Sequence, residues 1–210
     1  MTVTHQQAKG RDTVPFAISL RGVEKTFGAV RANHNIDLDI CTGDIHGIIG
    51  ENGAGKSTLV SILYGFYQAD AGTISVFGEE KTLRSTADAI AAGIGMVHQH
   101  FMLVPTVTVL ENIILGHEGT DSLAKGFEAA RVELAQLATR YGLDVDLDAI
   151  IEDFPVGLQQ RVEILKALYR GANILILDEP TGVLTPQETD QLFDILRALK
   201  EQGVTILLIT

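Results

Sequence analysis

An α/β fold with a mostly parallel central sheet is predicted by three features of the sequence. Short apolar runs alternate with segments of helical spacing, several runs are apolar throughout, and a glycine-rich loop joins one run to a helix. In chain order the runs read as strands over Phe16 to Val23, Ile36 to Ile40, Ile45 to Ile49, Gly72 to Phe77, Ile94 to Val97, Asn173 to Leu177 and Val204 to Ile209. The runs at 94–97, 173–177 and 204–209 do not alternate, which is the pattern of strands covered on both faces. Helical spacing puts Phe127, Leu134, Leu137 and Tyr141 on one face, and Leu192, Ile195, Leu196 and Leu199 on another. The second of these helices is punctuated by Thr185 as its cap, Pro186 in its first turn and Gly203 at its close.

A chain of 210 residues has room for one good-sized domain. Residues 1–15 are polar and read as an unstructured tail, leaving 16–210 for the folded unit. Within it, 80–170 is richer in helix and is expected to form a partly separate subdomain, with 116–126 its most loop-like piece. Apolar residues make up 46% and charged residues 20%, which excludes a disordered or collagen-like chain. The net charge of −11 repels nucleic-acid backbones and anionic lipids, so nucleic acid is not expected as a partner. A single cysteine, Cys41, excludes an intrachain disulfide and reads as a small buried hydrophobe. No secretory signal is visible, and no apolar run approaches the ~20 residues that cross a bilayer.

The most informative stretch is Gly50-Glu51-Asn52-Gly53-Ala54-Gly55-Lys56-Ser57-Thr58. It fits G-x-x-x-x-G-K-[ST] and lies between a strand and an apolar helical stretch, Leu59 to Phe66, as a phosphate-binding loop requires. Glycines let the backbone turn so that successive N–H groups converge on phosphate oxygens, and a helix starting near Ser57 adds the positive end of its dipole. Lys56 has the reach for the β- and γ-phosphates, and the Ser57 hydroxyl can ligate Mg²⁺. Accidental matches occur on the order of once per hundred such chains, fewer with the correct flanks. A second anchor is the apolar run ending in Asp178-Glu179. There Asp178 is placed to hold Mg²⁺, and Glu179, pointing differently, to polarise the attacking water.

With these motifs in order, the chain from about Ala17 to Thr210 resembles the nucleotide-binding subunits of ATP-binding-cassette transporters. The resemblance implies a P-loop NTPase fold with an antiparallel β edge and a helical subdomain, binding ATP with Mg²⁺. It implies that Phe27, in Val23 to Gly28, stacks on adenine, the alternative being a buried strand-end ring. Gln99, in Met96 to His100, is similar to the family glutamine that touches Mg²⁺ and water; the flanking His98 and His100 lack the further ligands of a metal site. The family's signature L-S-G-G-Q corresponds to Phe154-Pro155-Val156-Gly157-Leu158, followed by Gln159 and a helix to Tyr169. In the family this segment crosses a dimer interface to a nucleotide held by a second cassette. Pro155 has neither the serine hydroxyl nor an N–H, so that opposite site is expected to be weaker or differently arranged. Thr185 likewise stands where the family's S-x-L-D segment has aspartate, and the family's switch histidine is expected directly after Thr210.

Two segments, Val97 to Pro105 and Pro155 to Glu163, resemble the N-terminal cassette of bacterial importers for nucleosides or simple sugars, whose ATPases carry two fused cassettes. The implied partners are transmembrane permease subunits, a second cassette and, indirectly, a periplasmic or lipoprotein substrate-binding protein. The implied location is the cytoplasmic face of the bacterial plasma membrane. Phe101-Met102-Leu103 is expected to face a permease helix, the alternative being core packing. A soluble ATPase of the same family acting in translation or DNA repair is disfavoured by the acidic charge. A GTPase or small-molecule kinase is disfavoured by the absence of a guanine-reading N-K-x-D pattern. The 210-residue piece alone is expected to bind nucleotide weakly and turn it over slowly or not at all.

Overall fold

The computed structural model describes residues 15–115 and 123–210. The tail predicted over residues 1–15 therefore lies outside the described residues apart from Pro15. The Pro15 carbonyl accepts from the Thr42 N–H at 3.0 Å and from its hydroxyl at 2.7 Å.

Two four-stranded sheets make the framework. The antiparallel sheet has β1 (Phe16–Phe27), β2 (Val30–Cys41), β4 (Ala71–Val76) and β5 (Glu79–Glu80) in the order β2-β1-β4-β5. The other is parallel throughout, with β3 (Ile45–Ile48), β6 (Ile94–Val97), β7 (Ile174–Asp178) and β8 (Thr205–Ile209) in the order β3-β8-β7-β6. β1 and β2 run well past the segments 16–23 and 36–40 that apolar content marks out. Their extensions, such as Val30-Arg31-Ala32-Asn33-His34, are too polar to read as strand, and it is pairing across a tight hairpin that makes them one.

The parallel strands are apolar on both faces because each face meets a core. Leu175, Leu177 and Ile206 pack into one, while Ile174, Ile176, Leu207 and Ile209 pack into the other. The second core also takes Leu59, Val60, Ile62 and Leu63 from α1 (Lys56–Leu63) and the inner face of the antiparallel sheet. The first is covered by α3 (Val109–Ile114), α4 (Leu123–Tyr141), α5 (Val156–Tyr169) and α6 (Pro186–Glu201). Between 80 and 170 the chain holds α2 (Thr86–Ala91) and α3 to α5, but also β6, which pairs with β7 in the main sheet.

Helix ends follow local chemistry with some shifts. α1 stops at Leu63, short of the predicted Phe66, ahead of Gly65. α4 begins at Leu123, so Gly126 is helical and not part of a loop, and 116–122 lie outside the described residues. α6 has Pro186 in its first turn and Thr185 as cap, in a capping box closed by Glu188, a partner that spacing analysis missed. α5 starts at Val156, earlier than the predicted Gln159, with Pro155 as an N-cap that supplies no side-chain bond. Glu188 makes good that deficit. One carboxylate oxygen accepts from the Thr185 N–H and hydroxyl, both at 2.9 Å, and the other accepts from the Gly157 N–H at 3.2 Å. A Cβ on Gly157 would lie 2.7 Å from that oxygen, so a larger residue there would require the Glu188 carboxylate to shift.

One carboxylate thus serves two helix N-termini, and bonds from the Thr185 backbone and hydroxyl, then from Gly157, hold Glu188 below the usual carboxylate range. A depressed folded-state value means a contribution present above the unfolded value near 4.5 and lost as pH falls through the folded one. Chemical denaturation should therefore find Glu188→Gln less stable than wild type at pH 7. The gap should close as the pH is lowered through the carboxylate range; a gap independent of pH would show that the charge contributes nothing.

Candidate functional site

The phosphate-loop residues leave the C-terminal end of β3 and turn into α1. Gly53 and Gly55 have φ of 82° and 87°, the left-handed conformation that lets the loop turn tightly, and Gly55 is the cap from which α1 starts. Gly50, Glu51, Asn52, Gly53 and Ser57 are exposed, with Ala54, Gly55 and Thr58 partly so. Lys56 by contrast is 6% exposed. Its ammonium donates to the Gly50 carbonyl and, at 3.2 Å, to that of Glu51, so the charge is folded into the loop that carries it. The Gly50 N–H donates to the Thr210 carbonyl at 3.3 Å, which sets the end of β8 against the start of the loop.

Asp178 and Glu179 leave the same sheet edge. Burial, and then the charge of Glu179, push the Asp178 carboxyl up, while His98 and Lys56 pull it down. The loop cation and Asp178 therefore lie within electrostatic reach of one another. Glu179 has a φ of 46°, rare for a residue with a side chain. It is pinned there by its N–H to the Ile209 carbonyl at 2.9 Å, and the following Pro180 carbonyl accepts from buried Gln160 at 2.9 Å. Spacing did not single out Gln160; its neighbour Gln159 turns back onto the Phe154 carbonyl at 2.9 Å.

Gln99 lies two residues past β6 and is exposed on the same edge. His98, just before it, stacks among Tyr64 and Phe66 at centroid distances of 5.8 and 5.7 Å, and burial lowers its pKa. For Mg²⁺, the donor set is the Ser57 hydroxyl, the Asp178 carboxylate and the Gln99 amide oxygen, all hard oxygen ligands. Asp178 ends β7 beside Glu179 on the sheet edge where Gln99 and the phosphate loop also emerge, and three neutral or anionic oxygen donors there are the chemistry Mg²⁺ prefers, so these residues fit the ion.

Phe27, which ends β1, is 42% exposed and is not a buried strand-end side chain. Tyr67 meets it edge-on at 5.1 Å and the Lys25 ammonium lies 5.4 Å from its centroid. Pro155, Val156, Gly157, Leu158 and Gln159 form the exposed-to-half-buried first turn of α5, on Glu188.

The run 101–103 divides. Phe101 and Leu103 pack against the core, whereas Met102 is 62% exposed and lines a cavity of about 280 Å³ with Tyr64, Phe66, Thr86, Ile90 and Glu163. Two side chains of α5 grip the Met102 peptide. Lys166 donates to its carbonyl at 3.1 Å, and its N–H bonds to the Glu163 carboxylate, which burial raises above the usual range.

This geometry has close counterparts. The model of the ABC transporter family matches residues 33–182. The glucose import ATP-binding protein TsgD13 of Haloferax volcanii is 47% identical over 93% of the chain and 40% of its own length. The nucleoside import ATP-binding protein NupA of Lactococcus lactis is 50% identical over 92% of the chain and 38% of its own length. The chain thus spans about two fifths of these relatives. Among solved structures, the ADP conformation of an ATP-binding cassette of an ABC transporter superposes with a TM-score of 0.82 at 27% identity, covering 94% of this chain and 81% of that one. A fold of parallel and antiparallel sheets, a phosphate loop and two carboxylates at one sheet edge, and this depth of identity lead to one assignment: the chain belongs to the ABC transporter family.

Proposed function

We propose that the chain is the ATP-binding and hydrolysing part of a bacterial importer that energises uptake of a nucleoside or simple sugar through a membrane permease. The observation that carries this is the strand register that sets the start of the phosphate loop, after β3, and the Asp178-Glu179 pair, at the end of β7, on either side of Ile209 at one sheet edge. Relatives that import glucose and nucleosides support the class of solute.

In this reading the triphosphate lies on Gly50 to Thr58 and the adenine on Phe27. The loop N–H groups and the α1 N-terminus bind phosphate oxygens, and Lys56 moves from the Gly50 and Glu51 carbonyls to the β- and γ-phosphates, where it offsets charge developing at the γ-phosphorus. Glu179 orients and polarises the attacking water, its backbone fixed by the Ile209 contact. Mg²⁺ held by Ser57, Gln99 and Asp178 supplies Lewis-acid stabilisation of the phosphates. The turn Pro155 to Gln159 faces the nucleotide of a second cassette, fused in the full-length protein. Met102 and the cavity beside it face a permease helix on the cytoplasmic side of the membrane, and a substrate-binding protein delivers solute from the other side. No helix among the described residues is long and apolar enough to cross a membrane.

Replacing Lys56 with Ala removes a charge-assisted contact of about 1.5–3 kcal/mol, so calorimetric titration should find ATP binding about ten- to a hundredfold weaker. Unchanged affinity would refute the reading. In the full-length transporter, Glu179→Gln should keep ATP affinity and lower kcat by about 10²–10⁴-fold. Met102→Ser, on an exposed side chain, should leave the melting temperature unchanged while reducing both permease association and solute uptake; a lower melting temperature with normal uptake would assign Met102 to packing instead.

A further inference from the structure

We propose that Asn33 is a positioning residue of the phosphate loop, retained at a cost to the stability of the fold. The inference rests on the nucleotide-binding reading of that loop.

Asn33 lies in β2 and is 2% exposed. Its Nδ2 donates to the Gly55 carbonyl at 3.1 Å, while its Oδ1 is buried and has no hydrogen-bond partner. A carboxamide satisfied at one end only is a poor core residue, because the unpaired acceptor has given up water for nothing. Leucine would fill a similar volume without that penalty. Folding alone therefore gives no reason for an asparagine here, and the contact it does make is with the loop.

That contact is well placed. Gly55 sits directly on β2, where a Cβ would lie 2.2 Å from the Ala32 carbonyl oxygen and 3.0 Å from Asn33 Nδ2. The Gly55 carbonyl already accepts the Leu59 N–H at 3.0 Å as the first bond of α1, and Asn33 takes its remaining capacity. Because the peptide is planar and trans, fixing the Gly55 C=O also fixes the Lys56 N–H, which points the opposite way, out of the helix N-terminus. Asn33 thus sets the direction of a loop amide and the base of the lysine. It also lies on the hairpin whose other strand ends at Phe27, where it pairs with Lys25.

The test compares Asn33→Leu, Asn33→Asp and Lys56→Ala in the full chain, with melting temperature measured without nucleotide and ATP·Mg²⁺ binding by calorimetry. Asn33→Leu should melt at or above the wild-type temperature yet bind ATP about five- to tenfold more weakly, as loss of one oriented hydrogen bond implies. Asn33→Asp, which replaces the donor with a charge repelling phosphate, should bind more weakly again. Three outcomes would overturn the proposal. They are binding by Asn33→Leu within twofold of wild type, weaker binding together with a lower melting temperature, and failure of that variant to fold. Wild-type affinity in Lys56→Ala would instead strike at the reading of the loop itself, which separates the two failures.

Discussion

The register of three parallel strands is the constraint on which the site depends. β8 lies between β3 and β7, with Ile209 paired to Ile48 on one side and Asp178 on the other. Two interstrand spacings then hold the start of the phosphate loop and the end of β7 about 10 Å apart. β6 completes the row, with Val97 beside Leu177, so that Gln99 emerges on the same edge. In an open parallel sheet, side chains at the carboxyl ends of neighbouring strands share one crevice whatever their separation in sequence. Lys56, Gln99 and Asp178 are brought together by this and not by any direct bond between them. A slip of one residue in β8 would turn Ile206 and Leu207 to the wrong cores, so burial on both faces enforces the register that chemistry uses.

Electrostatics at that edge are deliberately unbalanced. Asp178 is raised by burial and by Glu179, with only Lys56 and His98 opposing. Glu179 adds a backbone conformation that a side chain disfavours, by about 1–3 kcal/mol in comparable cases. The surroundings over-determine it, with β8 holding its N–H and Gln160 holding the next carbonyl. Backbone strain of this kind collects at ligand-binding and catalytic sites. Raised carboxyl, strained carbonyl-flanked glutamate and half-partnered Asn33 are therefore parts of one arrangement around the loop.

How much of this the sequence disclosed follows from the range of each interaction. Lys56, Ser57, Asp178 and Glu179 announce themselves because strand, turn and helix signals are local, and the loop chemistry is written in consecutive residues. The central strands were equally legible, since burial on two faces leaves an unbroken apolar run. Asn33 and Gln160 were not, because each acts through a backbone carbonyl about twenty residues away, and nothing in its own neighbourhood marks it. Tyr67, edge-on to Phe27, was hidden for the same reason. Long polar extensions of β1 and β2 escaped a search based on apolarity, and Gly126 suggested a loop although a nineteen-residue helix absorbs one glycine at a cost of about 1 kcal/mol.

Two residues at which the sequence differs from the motifs it resembles meet on a single side chain. Pro155, in the position of the motif serine, and Thr185, in the position of the motif aspartate, are the N-caps of α5 and α6. Considered separately, the first loses a cap and the second merely changes one. Together they converge on Glu188. Thr185 supplies the hydroxyl that closes a capping box with Glu188, and the carboxylate oxygen left over reaches Gly157, satisfying an amide that Pro155 cannot. Glycine at 157 leaves room for this placement, since a Cβ would stand 2.7 Å from that oxygen and displace the carboxylate. Two turns that are separate in sequence thereby become one braced unit. The first turn of α5, which offers the surface from Pro155 to Gln159, is thus tied to the first turn of α6 through one carboxylate.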